Sequence, residues 1–155
     1  MDMQNADAAP KDIIPQKQEL SLDKFEFYDI WLLLSIGGNK KGSDLKGIAS
    51  SGDVLNHSTF ILDELNYGMS KLIYNEFVEQ RNGRFHWTNK ASDFYAANTQ
   101  ESEGCIAQLF RLAPIFQAEP AKPGCELVNY FDTADYEKAY RPNGCLLLIA
   151  RLLGM

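Results

Sequence analysis

The sequence predicts an α+β domain: three helices, a tight β-hairpin and a further helix, followed by a helical C-terminal extension. Three observations predict it. Apolar residues recur at helical spacing through three blocks that end at Asn75. The period then drops to two across Phe77–Thr88, around an Asn82-Gly83 pair. Helical spacing returns after Thr88. A length of 155 residues suits one domain with tails. The expected division is a flexible tail over 1–24, the hairpin-bearing domain over 25–98, and a helical extension over 99–155 that packs on it.

The tail is expected because Met1–Lys17 is polar, carries Pro10 and Pro15, and offers too little apolar surface to offset the entropy of ordering. A first helix is expected over Phe25–Ile36, apolar on most sides and therefore buried, ended by Gly37-Gly38-Asn39. Lys40-Lys41-Gly42 makes a short cationic loop. Ser43 is a suitable N-cap for a second helix that turns Leu45, Ile48 and Ala49 inward. A third helix is expected from Thr59 to Asn75. Its inner face carries Ile61, Leu65, Gly68, Met69, Leu72 and Ile73, and its outer face Asp63, Asn66, Tyr67, Ser70, Lys71 and Tyr74.

The hairpin is the strongest local signal. Asn-Gly is the preferred pair for a type I′ turn, in which both central residues need positive φ. Phe85 and Trp87 then mark the packed face, which predicts His86 on the solvent face. Thr88 can cap a fourth helix over Asn89–Asn98. A fifth is expected from about Glu101 to Phe110 or a little beyond, with Glu101 and Glu103 at its positive end. Ala113–Gly124, with Pro114, Pro120 and Pro123, reads as a connector, and Cys125–Phe131 as a short strand or extended segment. Asp132 or Thr133 caps a sixth helix, Ala134–Tyr140. Cys145–Leu153 is apolar nearly all round, which suits a helix closing the core or meeting a second subunit.

Composition excludes several functions. The chain carries 15 Lys+Arg against 21 Asp+Glu, a net charge of −6, spread as −2 in each of 1–24, 25–97 and 98–155. No segment has the clustered cations that phosphate neutralisation requires. The longest apolar stretches, Ile30–Leu34 and Cys145–Ala150, fall short of the ~20 residues of a membrane span. Cys105, Cys125 and Cys145 form no C-x-x-C and suit no zinc spacing. With no export signal at the N-terminus, they read as reduced thiols in the cytoplasm. No nucleotide-binding, hydrolase or zinc-protease motif occurs. His57 and His86 read as structural, so no catalytic residue, cofactor or metal is expected.

Leu65-x-x-Gly68-Met69-x-x-Leu72-Ile73, then Phe77-Val78-Glu79, Asn82-Gly83-Arg84-Phe85 and Thr88, resembles the third helix and wing of the winged-helix superfamily. Ser51–Thr88 is also similar to a set of small, functionally uncharacterised bacterial winged-helix proteins with an Asp-x-x-x-His pattern, here Asp53 and His57. The likeness covers Asp29 to about Ala97, and Ala91 stands where such chains often carry Gly. It implies a winged-helix domain and two possible functions. One is a regulatory or protein-interaction module that binds a protein, or itself, through the third-helix face (Asp63, Tyr67, Lys71, Tyr74) or the C-terminal helix. The other is a DNA-binding regulator using that face with the wing, where Lys40, Lys41, Arg81 and Arg84 would contact phosphates. The acidic balance, and Asp63 and Glu64 at the end of the helix that would approach DNA, favour a protein partner.

Overall fold

The computed structural model describes residues 19–140. Among them are six helices and a two-stranded antiparallel hairpin, so the α+β class holds. The first helix, α1 (Phe27–Ile36), starts later than its apolar pattern because Asp29 Oδ2 accepts from the Glu26 N–H at 2.7 Å and closes the first turn. It is buried nearly all round and forms the axis of the core. Helix α2 (Leu45–Asn56) is capped by Asp44, whose Oδ1 accepts from the Gly47 N–H, and not by Ser43. Ser43 is recruited elsewhere: its backbone forms a bridge with Phe85, and its hydroxyl donates to the Ile36 carbonyl. Trp31 fixes α2 against α1 by donating to the Gly52 carbonyl, and it holds the loop after α2 by stacking on Phe60 at 3.7 Å. His57 ends α2 in the left-handed region, its backbone N–H on the Asp53 carbonyl.

Helix α3 (Leu62–Tyr74) begins three residues later than the sequence suggested, and Glu64 reaches back to the Ile61 N–H. The hairpin follows as β1 (Val78–Arg81) and β2 (Arg84–Trp87), paired Val78–Trp87 through Arg81–Arg84. Asn82 and Gly83 have φ of 51° and 72°, the two positive values a type I′ turn needs. Ser43 and Phe85 exchange two backbone hydrogen bonds of 2.9 Å, so β2 is flanked on both sides. Trp87 donates to the Leu33 carbonyl at 2.7 Å, pinning the hairpin to α1. Helix α4 (Asn89–Asn98) is capped by Thr88 as expected.

The fifth helix is displaced from its expected place. It runs over Cys105–Gln117 as α5, while Glu101 and Glu103 precede it. The chain turns at Ser102 (φ 67°), and Glu103 grips Arg111 with both carboxylate oxygens at 2.8 and 3.1 Å from Nε. Pro114 does not end α5: it lies exposed while Leu112, Ala113 and Phe116 hold that turn in the core. The connector therefore starts at Ala118. Residues 125–131 form no strand. Asp132 accepts from the Asp135 N–H at 2.7 Å and caps α6 (Thr133–Tyr140), whose Tyr136 hydroxyl donates to the Phe60 carbonyl. Phe25, Phe77, Phe94 and Phe116 meet edge to face or tilted, with centroids 4.6–6.3 Å apart, so α5 shares the core of the preceding helices. The expected helix at Cys145–Leu153 lies outside the described residues, as does most of the tail.

Candidate functional site

Helical spacing placed Asp63, Tyr67, Lys71 and Tyr74 on the outer face of α3, and the structure separates them. Asp63 is exposed and Tyr67 half-buried. Lys71 is completely buried, which removes it from any partner face. Its ammonium pairs with Asp29 Oδ2 at 2.6 Å, donates to the Lys24 carbonyl and the Tyr28 hydroxyl, and lies over the Tyr28 ring. Both partners of this ion pair have no exposed surface. Burial pushes the Asp29 carboxyl up to about 7, although Lys71 and the Glu26 N–H pull it down. Burial also raises the Tyr28 phenol, with Asp29 and Glu26 adding to the effect. A buried pair of this kind locks α1, α3 and residue 24 in one register.

The connector lies along the middle of the α3 face and leaves Asp63 and part of Tyr74 exposed. Asn66 donates to the Phe131 carbonyl and accepts from the Phe131 N–H, both at 3.0 Å. The Ser70 hydroxyl accepts from the Val128 N–H at 2.9 Å and contacts the Val128 carbonyl at 3.1 Å. Asn75, just beyond α3, accepts from the Lys122 N–H at 2.7 Å, and the Tyr74 hydroxyl donates to the Pro123 carbonyl. Residues 122–131 thus use the polar side chains of α3 to satisfy their own irregular backbone. Cys125, within this strap, is buried, and burial pushes its thiol up.

The four basic residues of the expected phosphate site are exposed. The Ser43–Phe85 bridge brings the loop of Lys40 and Lys41 alongside β2. Arg84 donates to the Gly42 carbonyl and approaches Asp44 at 3.8 Å. Arg81 pairs with Glu79 at 2.9 Å. Both arginines therefore have acidic neighbours, which lowers the local positive potential. His86 is buried, contrary to the alternation of the strand. The cationic loop folds over it, and Gly42 (φ 70°) leaves the space: a Cβ there would stand 2.5 Å from the imidazole.

Compared with protein-family models, curated proteins and solved structures, the chain matches none. Among the described residues no group of three or more His, Cys, Asp or Glu side chains could hold a metal ion, and no helix is long and apolar enough to cross a membrane.

Two surfaces escaped the sequence reading. On α5, Ile106 and Phe110 are exposed, Phe110 by 57%, and Ile115, half a turn round from Ile106, is exposed on the other flank. The only charged residue of α5, Arg111, is tied to Glu103. Ile106 to Phe116 carries more apolar residues than one helical face can bury, a signal the sequence contained. The second surface is a cleft of about 930 Å³ along β1, bounded by Ile73, Glu76, Lys90 and Tyr130. Its charges are satisfied internally: Glu76 pairs with Lys122, and Lys90 donates to the Asn75 carbonyl.

Proposed function

We propose that this chain is a non-enzymatic winged-helix module of the regulatory or protein-interaction type, working in the cytoplasm. The order of α1, α2, α3, hairpin and α4 is compatible with a winged-helix arrangement. The observation that carries the functional reading is the strap of residues 122–131 along α3. A helix that reads DNA presents free polar side chains to base edges. Here Asn66 and Ser70 are spent on the chain's own backbone, and Lys71 on Asp29. The net charge of −6 and the uncharged, exposed apolar residues of α5 support a protein partner.

Anisotropy titration of a fluorescent random-sequence duplex tests this at low ionic strength. No binding is expected. Binding that falls steeply as salt rises would overturn the proposal in favour of the DNA-binding regulator, with Lys40, Lys41, Arg81 and Arg84 as phosphate contacts.

A further inference from the structure

The outer edge of β1 carries backbone groups with no partner among the described residues. Phe85 turns its N–H and C=O away from β1, toward Ser43. In an antiparallel ladder the residue opposite must turn its own pair the other way. That residue is Gln80, and Val78, two positions earlier, follows the same phase. The cleft of about 930 Å³ lies along this edge, with Val78 at its buried end and Gln80 exposed. The Asn82-Gly83 turn projects freely: a Cβ on Gly83 would meet nothing within 4 Å.

The edge is complementary to itself. It reads Val78-Glu79-Gln80-Arg81, and Glu79 and Arg81, side chains 48% and 60% exposed, lie on one face on either side of Gln80. With a second β1 laid antiparallel and Gln80 opposite Gln80, each Glu79 faces the other copy's Arg81. Directly opposite residues share a face, so the Glu79–Arg81 pair within each strand joins its counterpart in one cluster of four alternating charges. Sliding the register to put Glu79 opposite Glu79 sets like charges together and is disfavoured. The favoured register also brings each Asn82-Gly83 turn toward the other copy's cleft.

The geometry points to the β1 edge as a self-association surface, on which a second copy of this chain docks across a two-fold axis at Gln80 so that the two hairpins form one continuous sheet. A foreign peptide would have to supply the acidic and basic residues that this edge already provides. The contact is short, so it forms a reversible dimer. It stands independently of the proposed function, and the duplex titration does not bear on it.

Sedimentation velocity of the full chain over a concentration series tests it. A reversible monomer–dimer equilibrium is expected, weakening with added salt. R81E sets carboxylates against each other across the axis, and E79R does the same with cations. Each should weaken association by roughly tenfold or more. The double exchange E79R/R81E restores complementarity and should restore the dimer. Unchanged far-UV circular dichroism shows that each variant is folded. A wild-type chain that stays monomeric at every concentration overturns the inference. So does a dimer that survives R81E, one that E79R/R81E fails to restore, or one that F110D abolishes, which would place the contact on α5.

Discussion

α3 and α5 are both helices of thirteen residues, and their outer faces have opposite fates. The outer face of α3 is polar, with Asn66, Ser70 and Lys71, yet these residues are buried. The outer face of α5 carries Ile106 and Phe110, which are apolar, yet these are exposed. The difference teaches that helical periodicity reports polarity and not exposure. A polar face can be buried when a neighbouring segment needs its hydrogen-bonding groups. The strap of residues 122–131 has no ladder to satisfy its backbone, and Asn66, Ser70 and Asn75 supply the missing partners. Among the described residues only Phe27 reaches this face of α5, its ring tilted against Phe110 with centroids 5.5 Å apart.

The sharpest way to break this comparison is at Lys71. K71M leaves Asp29 buried without its cation, and a loss of about 3–5 kcal/mol in urea unfolding is expected. Adding D29L removes the stranded carboxylate, so the double variant should recover most of that loss. A K71M protein as stable as wild type would mean that Lys71 reaches water and belongs to an open face. The strap itself comes next. N66A leaves the Phe131 N–H and C=O unpaired, and a loss of about 2–3 kcal/mol is expected from the same measurement. S70A should cost about 1 kcal/mol, because Val128 is exposed and water can replace the hydroxyl. F110D defines the other side of the comparison. Its ring is 57% exposed and meets only Phe27, so a loss of about 0.5–1 kcal/mol is expected. A large loss would show that the face of α5 is packed after all.

Much of the fold was legible because its signals are local. Asn82-Gly83 demanded a hairpin, and Thr88 sits where a helix cap is needed. Element starts shifted for local reasons, as at Asp29 and Ser102, whereas the larger errors came from contacts the local pattern does not show. Ser43 was a good cap by type, but Phe85 and Ile36 claimed it, and Asp44 took the role. Pro114 looked like a helix end, but the burial of Leu112, Ala113 and Phe116 carries α5 past it. His86 alternates with packed residues, and only the fold of the Lys40–Gly42 loop buries it. Lys71 failed for the same reason: its carboxylate partner lies forty-two positions earlier, beyond the reach of any periodicity. The candidate site was therefore legible as a set of residues on α3 and hidden as a covered surface.

The central claim is that residues 122–131 close the outer face of α3. Amide hydrogen exchange of the native chain at Val128 and Phe131 tests it most directly, because both lie in irregular structure and owe their protection to Ser70 and Asn66 alone. Exchange at both amides far slower than in an unstructured peptide is the expected result. Exchange at the unprotected rate would show the strap detached and α3 open, and would contradict the account.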